Sequence, residues 1–251
     1  MARIDLNADL GETVDGVPTA DDAAMFAVIS SASVACGGHA GDAASMREAV
    51  ARAAAQGVAI GAHPSYVDRA GFGRTARRVA PALLRTQVRA QLEALRDAGA
   101  DLRYVKPHGA LYHAVFADPE TADAVVAAVG DLADAIGRSL PILAQGGAVE
   151  EVAAAHGIPF RREAFLDRGY LPSGLLVPRG MPGALLHDAD AVAARAVRLA
   201  RDGVVEAVDG TALTVDAVSL CLHGDSPGAV AMARAVRVAL DAQGIAVRAP
   251  W

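Results

Sequence analysis

Leu102-Arg103-Tyr104-Val105-Lys106-Pro107-His108-Gly109 is a short apolar run that stops at a lysine, a proline, a histidine and a glycine. Four strand-forming residues closed by such punctuation read as a buried strand over 102–105, with Lys106 and His108 delivered at its C-terminal end. Lys106 is the only lysine in a chain with 22 arginines, and Asn7 is its only asparagine. Where arginine has taken almost every cationic position, a retained lysine points to work for a compact ammonium on a flexible stem. The bland alternative is a survivor whose stem packs on the surface. The histidine two residues later favours function.

Outward from this stretch the same pattern recurs. Apolar runs at 3–8, 32–36, 58–62, 102–105, 141–144, 158–164 and 218–222 alternate with helical segments at 21–30, 42–56, 81–98, 118–137, 188–201 and 227–243. A short helix separates the fifth and sixth runs. Asp42 is placed to cap its helix, Gly57 to end it, and Pro81 to start the next. Residues 170–186, rich in proline and glycine, read as an excursion, Asp209-Gly210 as a hairpin turn, and a short strand closes the chain. Strands separated by helices imply parallel pairing with crossovers, hence an α/β chain, and 251 residues fit a single β/α barrel domain over 1–251.

Composition narrows the class. Hydrophobic residues make up 53% of the chain, enough for a large core. A net charge of −6 with no arginine cluster argues against nucleic acid as partner. No apolar stretch has membrane-spanning length, and the N-terminus enters a strand-like pattern with no apolar leader. Cys36 and Cys221 are too few for a disulfide framework. A cytoplasmic enzyme is the expectation.

Polar residues gather where strands end: Asp5, Asn7 and Asp9; His39 and Asp42; His63; Lys106 and His108; Glu163 and Asp167; His223 and Asp225. In a parallel barrel those ends share one mouth, where chemistry is assembled. Asp5 and Asn7 alternate with Ile4 and Leu6, so they face one side of their strand. Asp9, His39, His63, Lys106, His108 and His223 are therefore the candidate catalytic residues and are expected to line one cavity. Phosphate loops, dinucleotide fingerprints, HExxH and nucleophile elbows are absent from the sequence. Gly71-Phe72-Gly73-Arg74 offers an arginine on a tight turn, or only a solvated surface loop. The histidines fit either hydrogen bonding or a divalent metal, and the cysteines either a nucleophile or small buried hydrophobes.

Taken together, Asp5-Leu6-Asn7-Ala8-Asp9-Leu10-Gly11-Glu12, Ala35-Cys36-Gly37-Gly38-His39-Ala40-Gly41-Asp42, Ala62-His63-Pro64-Ser65-Tyr66, Gly71-Phe72-Gly73-Arg74, Val105-Lys106-Pro107-His108-Gly109-Ala110-Leu111-Tyr112 and Leu220-Cys221-Leu222-His223-Gly224-Asp225 resemble the LamB/YcsF family. Glu163-Ala164-Phe165 with Asp167, Arg168 and Tyr170 fits the same pattern. Val67 and His113 depart from it, standing where proline and asparagine are common. The resemblance implies an irregular seven-stranded β/α barrel similar to the glycoside hydrolase and deacetylase superfamily. It implies the A subunit of a 5-oxoprolinase that opens 5-oxo-L-proline to L-glutamate with ATP as co-substrate and with B and C subunits as partners.

Activating a resonance-stabilised ring amide through its oxygen needs a cation for phosphoryl charge, a role for Lys106 with Arg74. Water needs a base and the ring nitrogen an acid, roles for a histidine pair or for Asp9 with His108. Asn7, Arg74, Glu163, Arg168 and Asp225 are the candidates for holding substrate. One alternative is a metal-dependent carbohydrate or amide deacetylase with Asp9, His39 and His63 around a divalent ion. Another is a non-catalytic binding subunit of the complex. With Lys106 at the mouth, Lys106→Arg is expected to cost turnover while leaving folding almost unchanged.

Overall fold

The computed structural model describes residues 2–251. Seven parallel strands, β1 (Arg3–Leu10), β2 (Ser31–Ala35), β3 (Ala59–His63), β4 (Leu102–Val105), β5 (Ile142–Ala144), β6 (Phe160–Phe165) and β7 (Ser219–Cys221), pair in chain order, and β7 pairs back onto β1 to close a barrel. The closing register sets Asp5 beside Ser219 and Asn7 beside Cys221. A short β8 (Ala246–Val247) pairs with the start of β1, next to Arg3 and Ile4. Closure leaves the barrel strands no long open edge to template pairing with another chain. Among the described residues, no helix is long and apolar enough to cross a membrane.

The helices are α1 (Asp22–Phe26), α2 (Ala43–Gln56), α3 (Pro81–Asp97), α4 (Gly109–Ala117), α5 (Pro119–Ile136), α6 (Ala148–Ala155), α7 (Ala189–Asp202) and α8 (Ala229–Ala242). Asp42 and Ser45 form a reciprocal capping box at the start of α2, and Gly57 ends it at φ 68°. The helix expected at 21–30 is a five-residue α1, because Ser30 leaves the helical path to hydrogen-bond Asp5 inside the barrel. The sequence pattern gave no sign of α4: its residues are apolar on all sides, so no one-faced period marks it. Its start directly after His108 makes that histidine the residue preceding the helix.

Along β1, Ile4, Leu6, Ala8 and Leu10 join the hydrophobic layer under the helices, while Asp5, Asn7 and Asp9 point into the barrel. The interior is accordingly polar. Asp5 accepts hydrogen bonds from Ser30 (2.6 Å), Ser31 (2.7 Å) and Ser219 (2.5 Å). Trp251 closes this end: its ring stacks on Tyr104 at 4.4 Å and its Nε1 donates to Ser31 Oγ at 2.9 Å. Above them lies Lys106, only 1% exposed. Its Nζ reaches Asp9 Oδ1 (3.0 Å), Asn7 Oδ1 (3.1 Å), Glu163 Oε2 (3.1 Å) and Cys221 Sγ (3.0 Å). Burial alone would push its pKa down, but Asp9, Cys221 and Glu163 hold it well above the usual lysine value. Lys106 thus packs into the polar interior just below the mouth, and Lys106→Arg is now expected to cost stability as well as turnover. A planar guanidinium does not fit a site in which four acceptors already surround three N–H groups.

Two stability outcomes follow from this interior. A Cβ on Gly61 would lie 2.3 Å from the Tyr104 ring, so Gly61→Ala should destabilise by about 1–3 kcal/mol, whereas Gly180→Ala, in open space, should not change the melting temperature. Lys106→Met leaves Asp9 and Glu163 buried without their cation and should cost about 3–5 kcal/mol, read as a melting temperature lowered by roughly 10 °C. Wild-type melting in Gly61→Ala or in Lys106→Met would contradict the packing or the charge balance described.

Candidate functional site

The C-terminal strand ends surround a cavity of about 410 Å³. Of the residues expected there, Asp9, His63, Arg74, Lys106, His108, Arg168 and His223 line it. His39 does not: it lies behind His108, the two rings stacked at 3.7 Å and nearly parallel. Asn7 and Glu163 are fully buried beneath Lys106. Asp225 sits at the rim, paired with Arg74 at 2.6 Å.

The segment around Lys106 organises the mouth through its backbone as well. Lys106 N–H donates to Ala62 O and His108 N–H to Pro64 O, tying the end of β4 to the end of β3. His63 Nδ1 lies 2.7 Å from Lys106 O, and His108 Nε2 lies 2.9 Å from Phe72 O. The turn Gly71-Phe72-Gly73-Arg74 is therefore part of the site wall. Asp68 pins it by accepting from the N–H groups of Gly71 and Thr75 and from Arg77 at 2.6 Å. A Cβ on Gly73 would meet both His108 and His39 at 2.8 Å, so the backbone approaches as closely as only glycine allows.

One residue outside the expected set completes the histidine group. Gly11, at φ 71°, turns the chain after β1 so that Glu12 reaches His39 at 2.9 Å. Donor atoms of Glu12, His39, His63 and His108 all lie within 4.8 Å of one another, close enough to hold a metal ion. The expected trio of Asp9, His39 and His63 is not what gathers. Asp9 is drawn instead toward Lys106 and lies 3.4 Å from His63, within a second group with Cys221 and His223. Burial, reinforced by Asp9, pushes Glu12 up to about 7. Burial also holds His39 and His108 well below the usual histidine range, assisted for His39 by His63 and for His108 by His39. Asp9 stays ionised: burial opposes this, but His63 and Lys106 outweigh it and hold its pKa well down.

Across the cavity, His223 Nδ1 is 2.9 Å from both carboxylate oxygens of Asp167, and its ring stacks on Phe165. An acceptor at Nδ1 fixes the hydrogen there, and Nε2 makes no hydrogen bond among the described residues. In the sequence Asp167 shows only as a strand-end acid; its place two residues beyond β6 is the available signal. Burial disfavours a thiolate at either cysteine, raising Cys36 to about 12 and Cys221 well above the usual thiol value, although Lys106 opposes the shift at Cys221. Arg168 donates to Val177 O and Ala184 O, holding the 170–186 excursion over the site. Leu176, Pro178 and Arg179 from that excursion form the far wall. Tyr112, in the cavity lining, and Glu163, fully buried outside it, are neighbours whose Oη and Oε1 have no other hydrogen-bond partner among the described residues.

Sequence and structure comparisons agree on the kinship of this chain. The LamB/YcsF family matches residues 4–250. A protein from Streptomyces avermitilis, named as the A subunit of 5-oxoprolinase, is 53% identical, covering 98% of this chain and 99% of that one. Another of the same name, from Paracidovorax citrulli, is 50% identical over 98% of each. The crystal structure of a lactam utilization protein from Thermus thermophilus superimposes with a TM-score of 0.91 at 42% identity, covering 98% of this chain and 99% of that one. The chain belongs to the LamB/YcsF family.

Proposed function

We propose that this chain, acting as a single barrel domain, is the lactam-opening subunit of an ATP-dependent 5-oxoprolinase that converts 5-oxo-L-proline to L-glutamate together with B and C subunits. The observation that carries the reading is a buried His223–Asp167 pair opening onto a closed-in cavity, in a chain whose full-length relatives carry the name of the 5-oxoprolinase A subunit. The ATP requirement and the B and C partners rest on the family resemblance.

The residues suit the chemistry. ATP transfers its terminal phosphoryl group to the ring carbonyl oxygen and leaves as ADP; a water attacking the activated carbon must then lose a proton, and His223 Nε2 is the basic atom free to take it. Asp167 holds the tautomer and stabilises the imidazolium that forms. The imidazolium then returns its proton to the departing ring nitrogen, so the C–N bond breaks to give the free amine of γ-glutamyl phosphate, and a second water cleaves that acyl phosphate to L-glutamate and phosphate. Tyr112 Oη, in the cavity lining, suits the lactam carbonyl oxygen. Arg179 and Arg168 on the wall suit the substrate carboxylate, and Arg74 at the rim suits phosphoryl charge. Lys106 acts through Asp9: its N–H groups are occupied, and its charge keeps the neighbouring carboxylate ionised and aimed at the cavity. A second reading, a metal-dependent amide hydrolase, is favoured by the grouping of Glu12, His39, His63 and His108. Hydrolysis without ATP separates it from the first.

Glutamate release from 5-oxoproline by the chain mixed with its B and C partners, with and without ATP, tests the reading. The isolated chain should be inactive or nearly so, and robust ATP-dependent turnover by it alone would refute the division of the reaction among three chains. Within the complex, His223→Ala should lower kcat by about 100-fold or more, and Asp167→Asn should do the same without a matching rise in KM. His156→Ala, a half-exposed histidine paired with Asp123 away from the cavity, serves as the unaffected control. Undiminished turnover in His223→Ala would remove the dyad from the mechanism.

A further inference from the structure

His63 and His108 each spend one ring nitrogen on a backbone carbonyl. A carbonyl oxygen only accepts, so His63 Nδ1 and His108 Nε2 both carry hydrogens. A neutral imidazole has one N–H. His63 Nε2 and His108 Nδ1 are therefore both left with lone pairs, and these face each other at 3.0 Å. Carboxylate oxygens close in on the same point: Glu12 Oε1 lies 2.9 Å from His39 Nε2 and 3.7 Å from His108 Nδ1, and Asp9 Oδ2 lies 3.4 Å from His63 Nε2. Electron pairs so arranged repel unless a positive centre lies among them. A proton on His63 Nε2 would serve His108 Nδ1 and Asp9 Oδ2 only. A hydrogen on His39 Nε2 would serve Glu12 in the same pairwise way, whereas a single ion at the common point serves all four groups at once.

The geometry points to a binding site for one divalent transition-metal ion, with Glu12, His39 Nε2, His63 Nε2 and His108 Nδ1 as ligands. Three imidazoles and a carboxylate suit a borderline ion of the zinc class. Metal–ligand bonds of about 2.0–2.1 Å set tetrahedral edges of roughly 3.3 Å. The observed separations of 2.9, 3.0 and 3.7 Å straddle that length, and the remaining pairs lie within 4.8 Å. For His63 and His108 the carbonyls of Lys106 and Phe72 are outer partners of the kind that fix the rings of metal-bound histidines, while His39 is held by its stack on His108. Glu12 and His39 stand behind, while His63 and His108 line the cavity and give the ion a way in. This site goes beyond the lactam-opening reading, since capture of a metal is measured without turnover.

Chelator-stripped protein is titrated with Zn²⁺ by calorimetry and with Co²⁺ by visible absorption, and metal content is measured after gel filtration. One equivalent should be retained, with the intense bands of tetrahedral Co²⁺. Glu12→Gln and His108→Ala should each weaken binding by more than about 100-fold, since even outer-partner losses cost 10–100-fold. His156→Ala should bind like wild type. Nitrogen-detected histidine spectra of the wild-type protein need no variant to fold: Zn²⁺ should move the His63 Nε2 and His108 Nδ1 resonances while the carbonyl-bonded nitrogens stay protonated. No retained equivalent, binding unchanged in both variants, or a His63 imidazolium indifferent to Zn²⁺ would overturn the site and leave a proton between the rings.

Discussion

The ammonium of Lys106, held inside the barrel by Asp9, Asn7, Glu163 and Cys221, is the interaction on which the rest of the structure depends. Parallel barrels usually fill their interiors with branched aliphatic layers. This one fills its own with Asp5, Asn7, Glu163 and serines, and such an interior is tolerable only if each polar atom is paired and net charge is balanced. The serines satisfy Asp5, whose carboxyl burial keeps above its usual range. Lys106 balances the pair above it. Arginine, abundant everywhere else in the chain, is too wide and too rigid to sit at the meeting point of four strands.

The same residue connects interior to mouth. Its side chain fixes Asp9 from below, while its carbonyl accepts from His63 and its N–H locks β4 to β3. Asp9 consequently touches both halves of the candidate site: the histidine group through His63 and the His223 side through the cluster with Cys221. The two halves differ in kind. His223 with Asp167 is a proton-handling pair with a free nitrogen, whereas the histidines opposite present converging lone pairs at the cavity wall. A carboxylate kept ionised between them is a fixed negative reference for both.

Much of this was legible in the sequence, for identifiable reasons. Strand positions could be read because buried parallel strands are short apolar runs punctuated by glycine and proline, and boundaries moved by only a residue or two, as at Ala59–His63. Convergence of His63, His108 and His223 followed from strand ends alone. What stayed hidden depended on backbone direction and depth. Gly11 brings Glu12, not Asp9, to His39; helix Gly109–Ala117 lacks an amphipathic period; and the depth of Lys106 is set by its reach into the barrel rather than by its place after Val105. The link between His223 and Asp167 spans 56 positions, a distance over which no local pattern speaks.

Charge is also distributed with depth. Deep in the barrel, acids outnumber the single ammonium, while the accessible wall carries the guanidinium groups of Arg74, Arg168 and Arg179. Arg168 reaches that wall only because it braces the proline- and glycine-rich excursion by donating to Val177 O and Ala184 O. The excursion in turn places Arg179 on the same cavity wall that faces His223. An anion drawn in by the wall would meet its reacting end against Asp9 and the histidines, and its charged end against arginine. That opposition fixes a direction of entry. It follows from a single economy of the fold: the acids can remain in the interior because one lysine is there to hold them.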